Sequence, residues 1–338
     1  ENNPYADAKP EWMFQKAELM WELRNWEYLE ERAKWNQCIQ ASEQGTASDC
    51  GEEPEADYSD PRTIYKEILS QYPKYSRLDE VIYRLGSGLI EAGKGVEAIG
   101  YLQKLVKNYP NSKYVPDAHL ALGEYFFKKE MLGAARDNYQ AVLEYKDNNN
   151  YDFALYKLGW VYYNQGEYRD SINTFKKVVE RTDEKLGFQN QALNDLIVAY
   201  AEIQDGWKEA RSYLNKLEKK DEYVYKKIAQ MAGLYEAQGK DDMAIDVYTW
   251  FIDERPNHKR IPQWMESIIV AKKKINDFED LEKTMNQYNA YLAPSGTWWQ
   301  KNEGNEGAMN NAKLLVQASL AFLANKYHRR AQDKDNKN

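Results

Sequence analysis

The chain has 338 residues, with 46 basic against 54 acidic side chains and a net charge of −8. That balance excludes nucleic acid as the main partner, since phosphate binding wants a basic face. At 43% hydrophobic and 30% charged the chain folds rather than staying disordered, and no apolar run approaches the length of a membrane span.

The chain opens at "ENNPYADAKPEW". Without an initiator methionine this reads as a mature or trimmed form, in which any signal peptide or lipid-anchor cysteine would not be visible. A first helix is expected around Trp12–Trp35. The polar stretch "CIQASEQGTASDC" then holds both cysteines, Cys38 and Cys50. Two cysteines without a nearby histidine cannot make a four-ligand zinc site. The eleven intervening residues suit a disulfide across a hairpin-like insertion, worth about 2–3 kcal/mol, with two free thiols as the alternative. A disulfide implies an oxidising compartment, periplasm or exterior. From Glu43 to Asp60 the chain is acidic with no basic residue. It lacks a 12-residue calcium-loop pattern, so a solvated loop is expected. "DPRTIYKEILSQYP" (60–73) then reads as a second helix.

From Tyr83 onward the chain repeats with a period near 36. Gly86, Gly123 and Gly159 are 37 and 36 residues apart. Ala98, Ala135, Ser171, Ala210 and Ala244 follow at 37, 36, 39 and 34. Each unit reads as two helices. The first is amphipathic (Ile82, Leu85, Gly86, Leu89), a glycine marks a tight turn, and the second carries a small residue and then apolar ones (Ala98, Leu102, Leu105). Proline stops the second helix at Pro110 and Pro256. In "LGWVYYNQGEY" (158–168) the helical spacing separates a core stripe of Leu155, Leu158, Gly159 and Tyr162 from a second stripe of Tyr156, Trp160 and Tyr163. Gly159 is expected where the paired helix approaches closely.

These spacings resemble the tetratricopeptide repeat. Leu155, Leu158, Gly159, Tyr162, Ser171, Phe175 and Val178 match its signature in one unit. Ile228, Met231, Ala232, Tyr235, Ala244, Tyr248, Phe251 and Pro256 match it in another. The unit at 187–220 has a shortened turn, and the one at 259–293 matches only in pattern, through Leu281, Met285 and Tyr288. The resemblance implies an all-α, right-handed superhelical solenoid of about seven helix pairs. Its expected organisation is residues 1–75 as a helix pair split by the acidic insertion, 76–293 as the array, and 294–338 as a Trp-containing loop, a capping helix near Glu306–Arg330 and a tail. A solenoid needs such a cap because its last repeat otherwise exposes an apolar face.

The resemblance further implies that the first helices line a concave partner-binding groove. The positions carried over are Glu80, Tyr83, Ser87, Ile90 and Glu91, then Asp117, Leu120, Glu124, Phe127 and Lys128, then Phe153, Tyr156, Trp160, Tyr163 and Asn164. Three successive repeats thus offer aromatics on one face, while burial between first helices is the competing reading. No multi-lysine clamp for acidic tails is present.

Two further segments are candidates. "DNNNYD" (147–152) falls between repeats, where turn and cap chemistry explains it better than a metal. Trp298 and Trp299, in "APSGTWWQKNEGNEG", suit a second interface, a membrane contact or packing against the cap. His119, assigned to a repeat core position, is far in sequence from His258 and His328. No phosphate loop, metalloprotease motif, nucleophile elbow or dinucleotide fingerprint occurs. The expectation is therefore a non-enzymatic scaffold with no cofactor and no metal, binding protein partners. Its texture resembles bacterial envelope repeat proteins of the outer-membrane assembly (BamD-like) and Tol–Pal-associated (CpoB-like) families, and those of myxobacterial gliding machines. That implies a periplasmic or outer-membrane-associated complex, for assembly or motility. The alternative is a regulatory or glycan-binding solenoid of a cell-wall-processing system.

Overall fold

A computed structural model describes residues 8–46, 49–181, 188–275 and 277–335. Every regular element among them is helical. In chain order they are α1 (Ala8–Glu43), α2 (Ser59–Gln71), α3 (Leu78–Glu91), α4 (Gly95–Asn108), α5 (Val115–Lys128), α6 (Leu132–Val142), α7 (Tyr151–Asn164) and α8 (Tyr168–Arg181). They continue with α9 (Phe188–Tyr200), α10 (Gly206–Lys216), α11 (Asp221–Gln238), α12 (Asp241–Glu254), α13 (Ile261–Lys274), α14 (Phe278–Tyr291), α15 (Thr297–Asn302) and α16 (Glu306–Asp335). Among the first fourteen, α1–α2, α3–α4, α5–α6, α7–α8, α11–α12 and α13–α14 pack as sequential pairs, in the two-helix order that the repeat predicts. The chain packs as two compact units, residues 1–192 and 193–338. The division falls inside α9, within the stretch that the sequence treats as one array.

Four hairpins, α3–α4, α5–α6, α7–α8 and α11–α12, close by the same device. The turn glycines Gly93, Gly166 and Gly239 adopt φ of 70°, 76° and 68°, the left-handed region that L side chains resist. In the α5–α6 turn the equivalent residue is Glu130, held at φ 58°. Each of these four lies seven residues after the small residue of its first helix.

The first-helix glycines have a different purpose. A Cβ on Gly86 would lie 2.7 Å from Leu102, one on Gly123 2.8 Å from the Tyr139 ring, and one on Gly159 2.7 Å from the Phe175 ring. In every case the partner is sixteen residues on. What approaches Gly159 is thus an aromatic ring of α8, which explains the large second-helix residue. The small residues Ala98, Ala135, Ser171, Ala210 and Ala244 are all fully buried. The 27 tyrosines are explained in part by Tyr65, Tyr139, Tyr200 and Tyr235, which are core residues.

At the N-terminal end the structure corrects the expected insertion. Cys38 does not sit in a hairpin, because α1 runs unbroken past it to Glu43. Cys50 lies in the strand-like strap that follows, and the two are disulfide-bonded with Cα atoms 5.6 Å apart. The strap is tied back to the helix: the Trp35 indole N–H donates to the Gly51 carbonyl at 3.3 Å, and Arg32 pairs with Glu53 at 3.6 Å. Asp57 accepts from the Ser59 amide and Asp60 pairs with Arg24 at 3.1 Å. The acidic segment is therefore partly neutralised by α1.

Candidate functional site

The candidate residues lie on α3, α5 and α7, within the first unit. Their geometry divides them into groups that join neighbouring repeats and groups that remain at the surface.

Some of the candidates join repeats. Glu80 accepts from the Arg77 guanidinium at 2.8 Å, and Arg77 also reaches Glu11 of α1 at 2.8 Å. Tyr83 stacks on Tyr114 with ring centroids 4.9 Å apart, and burial pushes its hydroxyl above the ordinary range. The Ser87 hydroxyl donates to the Tyr83 carbonyl of its own helix at 3.0 Å. Asp117 accepts from the Asn150 amide, while burial holds its carboxyl above the usual range. Glu124 accepts from the Tyr139 hydroxyl at 2.5 Å and pairs with Lys157 at 3.1 Å.

Lys157 is a residue that the repeat positions missed. Its ammonium lies 4.8 Å from the Phe127 ring centroid and 5.6 Å from that of Phe153, beside the Glu124 carboxylate. It thereby bridges α5 and α7 through the Glu124 ion pair and the Phe127 cation–π contact, while Phe153 lies on its own helix. The signal was present in the sequence, as a lysine set beside aromatic positions, but only the pairing of helices shows what it touches.

The stripe on α7 is closer to the core than its spacing suggests. Tyr156 is only 7% exposed, and its hydroxyl accepts from the Trp160 indole at 3.0 Å and from Gln191 at 2.8 Å. Tyr156 and Trp160 both meet the Phe175 ring, at 5.9 Å each. Tyr163 meets Trp160 edge-on at 5.3 Å and Tyr168 at 5.5 Å. Tyr156 is therefore a positioning residue beneath the face, while Trp160 and Tyr163 are half-buried at it. Phe127, Phe153, Leu120 and Ile90 are half-buried as well, and Glu91, Lys128 and Asn164 are exposed. The face is thus aromatic, with its rings held by contacts to one another, to Phe175 and to Lys157.

The other candidates resolve differently. His119 is half-buried at the edge of the core rather than within it, with Nδ1 2.9 Å from Asn138 Oδ1. Trp298 is 1% exposed and donates its indole N–H to the His258 carbonyl at 2.9 Å, so it is a core residue of the second unit rather than part of an interface. Trp299 is half-buried, with the Lys313 ammonium 6.0 Å from its ring. Asn148 accepts from the Asn150 amide at 2.7 Å, which is turn chemistry. Among the described residues no group of three or more His, Cys, Asp or Glu side chains is arranged to hold a metal ion, and no helix is long and apolar enough to cross a membrane.

Residues 80–112 and 153–181 match the tetratricopeptide repeat family. The protein carries tetratricopeptide repeats, and α3–α4 and α7–α8 are two of them. The crystal structure of MamA is 28% identical, over 53% of this chain and 90% of that one, at a TM-score of 0.38. A tetratricopeptide repeat protein from Parabacteroides merdae is 15% identical over 72% and 92%, at 0.39. The pilF structure of Pseudomonas aeruginosa is 19% identical over 68% and 97%, at 0.34. No curated protein matches the chain. Repeats of this family suggest a scaffold for protein–protein interaction.

Proposed function

We propose that the protein is a non-enzymatic scaffold that holds a peptide or helix of a partner protein on the face of α3, α5 and α7. The observation that carries this reading is the set of half-buried aromatics Phe127, Phe153, Trp160 and Tyr163, fixed in place by Lys157, Tyr156 and Phe175. Aromatic groups already ordered before binding lose little entropy on contact and are the usual anchors of an interface. A photoreactive residue at Asn164 or Lys128 should crosslink the partner in native cells. Trp160→Ala with Tyr163→Ala should remove that crosslink while leaving helicity unchanged. A folded double variant that still captures the same partner overturns the assignment.

The finer reading is an envelope protein that organises a periplasmic or outer-membrane complex for assembly or motility. It is supported by the Cys38–Cys50 disulfide, which persists only in an oxidising compartment. Intact mass after alkylation without reductant tests it: protein from its native compartment should take up no alkyl group, and two would overturn the compartment. Heat released on titrating soluble cell-wall glycan, abolished in Trp160→Ala, would instead favour a glycan-binding solenoid.

A further inference from the structure

Helix α1 is apolar on two opposite sides. Its inner side, with Pro10, Phe14 and Ala17, packs into a core with Tyr65, Ile68, Leu85 and Leu89. Its outer side carries Trp12, Leu19, Leu23 and Trp26, at spacings of seven, four and three residues, with Leu29 three further on. These five are 74%, 66%, 52%, 61% and 54% exposed. A shallow hollow of about 300 Å³ runs along them, lined by Trp12, Gln15, Lys16, Leu19, Met20 and Leu23. A surface helix with one buried stripe has a polar opposite face, so this second stripe is without a partner among the described residues.

The spacing is that of a coiled-coil seam, in which every second contact comes after three residues and the next after four. The area also fits. Two tryptophans and three leucines at these exposures leave roughly 600 Å² of apolar surface. That is at or above the largest patch of an ordinary monomer, and approaches the ~800 Å² per side of a stable interface.

Charge decides the occupant. The seam is interrupted by Lys16 near its start and Glu30 near its end. A parallel copy would set Lys16 against Lys16 and Glu30 against Glu30. An antiparallel copy, related by a two-fold axis beside residue 21, sets Leu19 on Leu23 of the other chain and Lys16 over its Trp26. Glu30 of that chain, paired on its own helix with Lys34, then comes within reach of the Lys16 ammonium. Lys16 and Glu30 complement each other in that direction and repel their own copies in the parallel one, which outweighs the approach of the two exposed Glu22 carboxylates near the axis of a closed two-fold contact.

We infer that the outer face of α1 is a homodimer interface, formed by antiparallel pairing of two α1 helices over about 27 Å, from Trp12 to Glu30. The contact leaves the α3–α5–α7 face of each copy to its own partner, and it does not depend on what binds there.

Sedimentation equilibrium of the full chain tests this. The expected result is a reversible dimer. Leu23→Glu, at an exposed position, should raise its dissociation constant at least about tenfold with an unchanged circular dichroism spectrum. Glu30→Lys should weaken the dimer, and adding Lys16→Glu to it should restore binding. A chain that stays monomeric to about 100 µM overturns the inference, as does a dimer indifferent to Leu23→Glu. A failed charge swap overturns the antiparallel pairing. A monomer that binds phosphatidylglycerol-containing vesicles only while Trp12 and Trp26 are intact assigns the seam to a lipid surface instead.

Discussion

The first and last long helices of the chain meet the end-of-array problem differently. Helix α16 buries Ala308, Ala312, Leu315, Ser319 and Leu323 at spacings of four, three, four and four, and it packs on α13 and α14. Its outer end is clamped by Glu282 of α14, which accepts from Lys326 at 2.8 Å, the Tyr327 hydroxyl at 2.6 Å and Arg330 at 3.2 Å. Its exposed large residues, Leu314, Leu320 and Tyr327, do not form one continuous stripe. Helix α1, at 36 residues against 30, is likewise long but apolar on both sides. One helix closes its unit with a polar back, and the other presents a second seam. Length and hydrophobic content do not distinguish a cap from a docking helix, whereas the distribution of apolar residues around the axis does.

The comparison can be broken most severely at Trp298. Its indole is fully buried and tied to the His258 carbonyl, so Trp298→Ala should cost about 3–5 kcal/mol in urea unfolding of the second unit. An equal loss in the first unit would mean that the effect is not local. Removing the Cys38–Cys50 crosslink should cost about 2–3 kcal/mol, confined to the strap and the last turns of α1. Hydrogen exchange across residues 30–43 reads that loss, and unchanged protection there would show that Trp35 and Arg32 hold the strap unaided. Gly159→Ala, which drives a methyl into the Phe175 ring, should cost about 1–3 kcal/mol and loosen neither end. Glu130→Gly works in the opposite direction. Relief of the left-handed backbone should stabilise the α5–α6 hairpin by about 1 kcal/mol, seen as a higher urea midpoint.

The smallest effect concerns the clamp. Hydrogen bonds from Lys326 and Tyr327 hold the Glu282 carboxyl down at about 2, against an ordinary value of 4.5. A depressed carboxyl contributes its stabilisation fully above the ordinary value and loses it as pH falls toward the lowered one. The α14–α16 contact should therefore weaken between pH 4.5 and 2, followed by a fluorescence pair on the two helices. Glu282→Gln should flatten that dependence, and an unaltered profile would place the titration elsewhere.

Much of the fold was legible in the sequence. The small residues, turn glycines and helix-stopping prolines are local signals that marked the repeats from α3 to α12, while α13–α14 and the closing helix were read from apolar spacing alone. What escaped depended on neighbours. The Tyr156–Trp160–Tyr163 stripe was visible from its spacing, but only Phe175 and Gln191 show that Tyr156 lies beneath it. Lys157 was passed over because its partners come from α5. Cys38 was assigned to a loop because the surrounding residues are polar, yet a helix exposed on most sides has no need of apolar ones. Trp298 and Trp299 are identical in sequence terms, and a single carbonyl, that of His258, separates their fates.

The spacing of sixteen between a first-helix glycine and the large side chain that fills it has a consequence for how such a chain changes size. Socket and plug lie in the same hairpin, so in α3–α4, α5–α6 and α7–α8 the lock is inherited as one piece. Copying or deleting a whole unit of about 36 residues carries both halves together and leaves no orphaned ring or vacant glycine. A cut at any other length separates them. The array is therefore divisible at the joints between hairpins and resistant within them, which gives recombination a grain to follow.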